Sequence, residues 1–321
     1  MAEESYIYAV ARIRSQEQRL LSSSFYEQLL AAPDEAACLR FLSERGWEGS
    51  EEGPEAMLKT ESRKTWLLLG ELVKDPSVFD VFRYAADYHN LKAAIKESGQ
   101  ENKLPGVFRD DGTVPAALFE KAVAEMDPSM LPERMRACAK EAAKVFLQTR
   151  DGLLTDCIVD RAALEDIFRA GEESGEELLR QYAELTVVTA DIKIAVRAQR
   201  TGKDRKFLER SLAPCRTLDI GQLADAAQLG FAEVCGYLEK TDYAGAVPEL
   251  RKSQAAFECW CDNVLLRAIR PQIHNPFGLG PLAAFALARE SEIKTVRMIL
   301  AGKRNGISAD TIRERVRETY V

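Results

Sequence analysis

The sequence predicts an almost wholly α-helical protein built from three similar helical-bundle lobes. Three observations carry this expectation. Apolar residues recur at steps of three and four, a short motif returns twice at equal intervals of 101 residues, and no Asn-Gly turn joins two alternating apolar runs.

The helical period shows first at Tyr6, Val10 and Ile13, then at Leu20 and Leu21, with Leu29 and Leu30 beyond. Leu178, Tyr182, Leu185, Ile192 and Val196 keep the same spacing with one lapse at Thr189. That stretch also alternates at Ile192, Ile194 and Val196, close to the β-branched Thr186, Val187 and Val188. Helix is the better reading because the longer period holds over 19 residues. Leu282, Phe285, Ile293, Val296 and Leu300 repeat the pattern, with a lapse at Arg289. Breaks are expected at Gly46 to Pro54, Gly99 to Pro115 (with Pro105 and Gly106), Gly171 to Gly175 and Arg270 to Pro281. Proline removes a backbone donor and glycine favours other angles, so helices end and restart there. Asn305-Gly306 lies between two helix-like stretches. Trp47, Trp66, Trp260, Phe82, Tyr84 and Tyr88 are expected mostly in the core or, for some, at an interface.

The repeat is the most informative feature. Asn90-Leu91-Lys92, Asp191-Ile192-Lys193 and Glu292-Ile293-Lys294 share the form [N/D/E]-[L/I]-K, and Asp262-Asn263-Val264 is a looser echo. Each copy then meets a glycine, Gly99, Gly202 or Gly302, where a left-handed helix cap is expected. The equal spacings point to three lobes of about one hundred residues. Their expected extents are 1–110 (completed by C-terminal helices), 111–210 and 211–321.

Composition excludes several classes. With 46% hydrophobic and 30% charged residues the chain is no disordered tail, and 12 Pro with 19 Gly exclude a collagenous one. The start, Met1-Ala2-Glu3-Glu4-Ser5, carries acid where a secretory signal needs base, and no apolar run approaches the ~18 residues that span a bilayer. The expected location is cytoplasmic, peripheral to any membrane. A net charge of −7 argues against nucleic acid as a partner. The charge is uneven, however. Lys193 to Arg216 holds eight cations against two acids, and Lys294 to the end holds seven against three. These segments are either solvated helix faces or a basic surface that meets an acidic partner. Seven scattered cysteines with no C-x-x-C fit neither a disulfide framework nor a zinc site, and read as small core hydrophobes. His89 and His274 are the only histidines, which leaves little for a metal site or a triad.

Catalytic signatures are missing. Gly202-Lys203-Asp204 and Gly302-Lys303-Arg304 lack both the hydroxyl and the earlier glycine of a phosphate loop, and there is no G-x-G-x-x-G, H-E-x-x-H or G-x-S-x-G. No cofactor is implied. One enzyme-like feature remains. Asp156 and Asp160 stand at i and i+4, so on a helix their carboxylates share a face and, with Asp151, suit magnesium. A magnesium-dependent all-α enzyme would need a second acidic cluster, which the sequence does not offer. The other reading is solvated or salt-bridged acids beside Arg150 and Arg161. A free-standing helical scaffold is a further alternative.

Tyr6 to Arg14 followed by Leu20-Leu21, then Asp87-Tyr88-His89-Asn90-Leu91-Lys92, Cys261-Asp262-Asn263 and above all Pro281 to Ile307 resemble the family of C subunits of bacterial and archaeal V-type and A-type ATPases, whose eukaryotic counterpart is the d subunit. The resemblance covers essentially the whole chain, and its C-terminal stretch is the most specific part. It implies a pseudo-threefold, all-helical funnel that is not catalytic and binds no cofactor. It implies a rotor part, monomeric when isolated, that links the central shaft and small stalk subunits to the membrane proteolipid ring. Stiffness is the mechanical requirement of such a part, and well-packed bundles supply it. Lys92, Lys193 and Lys294, equivalent in the three copies, are candidates to face the socket and pair with acids of the shaft; the rival reading has them facing water.

Overall fold

The structure is a computed structural model and describes residues 6–99 and 106–321. The acidic start at residues 1–5, and Pro105 within the expected break, lie outside the described residues. Helices follow one another as α1 (Ile7–Glu17), α2 (Ser23–Ala31), α3 (Glu35–Glu44), α4 (Pro54–Leu72), α5 (Tyr84–Glu97), α6 (Ala116–Ala124), α7 (Glu133–Thr149) and α8 (Gly152–Glu173). Beyond them lie α9 (Glu177–Arg200), α10 (Arg205–Ser211), α11 (Ile220–Leu229), α12 (Phe231–Leu238), α13 (Ala246–Lys252), α14 (Gln254–Ile269), α15 (Gly280–Arg304) and α16 (Ala309–Arg313). No strand occurs among the described residues, so the alternating Ile192-Ile194-Val196 stretch is helical, inside α9.

Local chemistry sets many of the boundaries. Asp34, Asp151, Asp204, Asp219, Ser253 and Ser308 stand immediately before helices and accept backbone N–H bonds from the first turn. Each such cap stabilises by ~1 kcal/mol. Pro54 opens α4 and Pro281 lies in the first turn of α15, where a missing N–H costs nothing. Arg270 to Pro281 breaks as expected, into a 3-10 turn at Arg270–His274 and the restart at Gly280.

Three glycines differ from expectation. Gly202 takes the left-handed conformation after α9, with φ +63°, but Gly99 and Gly302 do not. Gly302 lies inside α15, where a Cβ would stand 2.6 Å from Ile312 Cδ1, and the left-handed residue after that helix is Gly306 at φ +65°. At Gly99 a Cβ would meet the Phe146 ring at 2.7 Å. Gly171 is likewise within α8 and not in a loop, because a Cβ there would fall 2.4 Å from Ala183 Cβ. In all three places glycine serves close packing.

The chain forms two compact units. The first comprises Met1–Pro76, Glu176–Leu178 and Gly245–Val321, so it joins the two ends of the chain. α15 is its centre and packs against α1, α3, α4 and α14. Ile293, Val296, Ile299 and Leu300 of α15 share a core with Phe25, Leu29 and Leu30 of α2, Cys38 and Leu42 of α3, and Met57 and Leu58 of α4. The second unit comprises Ser77–Gly175 and Leu179–Ala244. Here Tyr88, Leu91 and Ile95 of α5 meet Phe119 of α6, Met135 and Cys138 of α7, and Val159 of α8. A smaller cluster of Leu164, Val187 and Ala213 ties α8 to α9. Full burial of a large aliphatic or aromatic side chain stabilises by ~1.5–3 kcal/mol.

The seven cysteines are free, and Cys38, Cys138, Cys157 and Cys235 are buried. Burial pushes the Cys138 thiol up to about 12, which suppresses its reactive thiolate. No helix among the described residues is long and apolar enough to cross a membrane.

Candidate functional site

The three motif copies fall on α5, α9 and α15, and the structure gives each position a distinct duty. The first residue is buried and its side-chain oxygen accepts a backbone N–H from a remote loop. Asn90 Oδ1 takes that of Arg109 at 2.8 Å, Asp191 Oδ1 that of Ala213 at 3.0 Å, and Glu292 Oε2 that of Leu21. The second residue, Leu91, Ile192 or Ile293, is buried in the core. The third is the lysine. Lys92 pairs with Asp160 at 2.7 Å and Lys294 with Asp262 at 2.7 Å, whereas Lys193 is exposed and forms no ion pair with a described residue. Two of the three candidate interface lysines therefore already have internal partners.

Chemistry differs at the tethering position. Asn90 is neutral and satisfied from both ends, since its Nδ2 also donates to the Arg109 carbonyl at 2.9 Å. Asp191 is wholly buried with Oδ2 unpartnered, and desolvation pushes its pKa up to about 7. Burial also pushes Glu292 up to about 7, against the pull of Arg289.

Each motif helix carries further anchors that the sequence pattern did not assign. On α5, Asp87 is buried and accepts the N–H groups of Thr113 at 2.7 Å and Val114 at 3.1 Å, while Arg134 pairs with it at 2.6 Å. On α9, Glu184 accepts the N–H groups of Arg216 at 3.0 Å and Thr217 at 2.8 Å. On α15, Arg289 bridges Glu292 and Glu61, the latter at 2.8 Å, and its guanidinium lies 5.3 Å from the Trp47 ring centre. A sequence signal for Arg289 existed, because a charged residue interrupting an apolar face must be paired to be buried there. Asp87 and Glu184 gave none, since their partners are backbone amides distant in sequence. Such tethers fix loops onto helices and add stiffness; they present no nucleophile or general base to a substrate.

The acids proposed for magnesium are otherwise engaged. Asp156 takes Lys96 at 2.7 Å and Asp160 takes Lys92, so a lysine of α5 faces each carboxylate on α8. Asp151 is the N-cap of α8. No group of three or more His, Cys, Asp or Glu among the described residues is placed to hold a metal ion. His89 Nε2 donates to the Val107 carbonyl at 2.9 Å, and His274 is exposed in the 3-10 turn.

The two basic segments behave differently. In the C-terminal one, Lys294, Arg297, Arg304, Arg313 and Arg317 pair with Asp262, Glu55, Glu35, Glu27 and again Asp262, and Lys303 donates to the carbonyls of Leu30 and Ala32. All of that segment's cations except the exposed Arg315 are answered within the first unit. Between Lys193 and Arg216, only Arg205 and Arg216 form ion pairs among the described residues.

Comparison with known proteins gives this arrangement its context. Residues 9–315 match the model of the family described as ATP synthase (C/AC39) subunit. The chain is 23% identical to the C subunit of the V-type sodium ATPase of Enterococcus hirae, over 96% of this chain and 97% of the relative. It is 24% identical to the C subunit of the V-type ATP synthase of Thermus thermophilus, over 98% of each. The C subunit of the A-type ATP synthase of Methanocaldococcus jannaschii is 22% identical over 96% of this chain and 85% of the relative. A family match of that extent, on a helical frame whose repeated motif tethers loops and builds no catalytic centre, leads to one conclusion: the chain belongs to the ATP synthase (C/AC39) subunit family.

Proposed function

We propose that this chain is the C subunit of a V/A-type rotary ATP synthase, a non-catalytic central-stalk part that couples ATP turnover to proton or sodium transport. It seats the end of the central shaft, joins it to the membrane proteolipid ring and turns with both, on the cytoplasmic side of the membrane. The observation that carries the reading is the family match across residues 9–315, together with relatives that are each the C subunit of such a machine. The tethers support it physically, because a torque-bearing part loses coupling wherever a loop can yield.

Three lobes remain part of this reading. Their support is that the three copies tether loops in the same way, the third by capturing Leu21 from the opposite end of the chain. α15 packs on α4, which suits a first lobe completed by C-terminal helices. The core shared by α5 with α6, α7 and α8 favours a first division before Tyr84 in place of residue 110. Among the three lysines, Lys193 is the one free to meet an acid of the shaft, with Lys92 and Lys294 as secondary contacts. Lys193→Glu is expected to lower shaft affinity more than either other reversal, in a titration read at low and high salt. Equal effects of all three reversals would exclude that ranking. Electron cryomicroscopy of the complex purified through a tag on this chain tests the whole reading. Density for the chain on the rotation axis between head and ring is expected, and a peripheral position would contradict it.

A further inference from the structure

The C-terminal half of α9, the turn after it and α10 carry a run of positive charge without ion-pair partners among the described residues. Lys193, Arg197 and Arg200 stand at i, i+4 and i+7 and are all exposed, so they project from one face along about 10 Å of helix. Past the turn at Gly202, Lys203, Lys206 and Arg210 continue the series. None of these six cations forms an ion pair with a described residue. The neighbouring acids are few. Glu209 and Asp225 are taken by Arg205, Asp204 spends Oδ1 capping α10 through the Phe207 N–H at 2.9 Å, and Glu233 leans over Gly230. Helix dipoles favour Arg197, Arg200 and Arg210 in last turns, but Lys206 sits in the first turn of α10, where a cation is unfavourable. Lys193 with Arg197 and Lys206 with Arg210 are also like-charge i,i+4 pairs, which oppose helix formation. The fold itself gains little from this charge.

Apolar groups lie among the cations. Leu229 is 76% exposed at the end of α11, next to Gln228, whose Nε2 donates to the Lys203 carbonyl at 2.9 Å. Phe231 lies under the Arg200 guanidinium at 5.5 Å and Phe207 under the Lys203 ammonium at 5.6 Å. An exposed leucine and two half-buried rings beside cations bring together the apolar and charged groups that protein interfaces combine.

We propose that this surface docks an acidic amphipathic helix of another protein in the assembly. Carboxylates one turn apart would meet the cations of α9 and α10, and an apolar side chain would cover Leu229. This rests on the reading of the chain as a stalk subunit, which needs protein partners. An anionic membrane would also attract the cations, but a helix lying in the interface carries a continuous apolar face, and here a single exposed aliphatic residue is present.

The test places p-benzoylphenylalanine at Leu229 of the full chain in cells, irradiates the assembled complex and identifies adducts by mass spectrometry. The expected adduct is with one protein segment whose acids recur at three- and four-residue spacing. The triple variant Arg197→Glu, Arg200→Glu, Lys206→Glu should lower its yield at least tenfold while the melting curve of the isolated chain stays unchanged. Adducts with lipid only, with a segment lacking acids, in undiminished yield after charge reversal, or none at all would overturn the proposal. Co-purification of ATP synthase subunits is scored separately. Assembly without an acidic adduct at Leu229 refutes the docking surface alone, whereas an acidic adduct from a protein outside any ATP synthase supports the surface and refutes the stalk assignment.

Discussion

Replacing Asp191 by asparagine separates the tether's hydrogen bond from its charge. Asp191 is wholly buried on α9, with Oδ1 on the Ala213 N–H at 3.0 Å and Oδ2 unpartnered. Desolvation pushes its pKa from the ordinary 3.8 to about 7; the Ala213 N–H and Arg161 pull it down, and Glu184 adds to the rise. Unfolding returns the carboxyl to its ordinary range, so between about pH 4 and about pH 7 the native state holds the extra proton. Stability from this group is therefore full below about pH 4, falls as pH rises and is lost above about pH 7. A shift of roughly three units corresponds to ~4 kcal/mol at most. Asparagine keeps the acceptor, as Asn90 does on α5, but brings an amide N–H₂ whose burial without a partner costs ~1–3 kcal/mol. Asp191→Asn is thus expected to raise the unfolding free energy by ~1–3 kcal/mol at pH 8, and to be neutral or mildly destabilising at pH 5. Urea denaturation followed by circular dichroism at both pH values measures this. Equal destabilisation at pH 5 and pH 8 would refute the reasoning, because the carboxylate itself would then be holding the loop.

Two other substitutions probe the frame. Arg289→Ala leaves Glu61 and Glu292 buried without their shared cation, and a loss of ~3–5 kcal/mol is expected in thermal or chemical denaturation. Gly171→Ala forces a methyl to 2.4 Å from Ala183 Cβ and 3.0 Å from the Leu179 carbonyl, so α8 and α9 must shift, at ~1–3 kcal/mol by the same assay.

Much of this fold was readable in the sequence because helical burial leaves a local period. Leu282, Phe285, Ile293, Val296 and Leu300 name the buried face of α15, and the motif copies 101 residues apart all fall within helices, α5, α9 and α15. Glycine was read less well. A cap and a close approach both select glycine, and only the neighbour, Ile312 beside Gly302 or Ala183 beside Gly171, tells them apart. The motif's meaning was hidden for a similar reason. Its first residue works on backbone amides 19 and 22 positions later in α5 and α9, and 271 earlier for Glu292, and no side-chain pattern marks such partners. The lysines drew attention by their charge, yet Asp160 and Asp262 already answer two of them. Family resemblance reached further than local pattern because it sums many individually ordinary residues along the chain.

The most direct measurement of the stalk assignment is ATP-driven ion uptake by inverted membrane vesicles from cells lacking this chain. Uptake should be abolished while the soluble head still hydrolyses ATP, and restored when the intact chain is supplied. Ion uptake that persists at the wild-type rate without the chain would contradict the assignment.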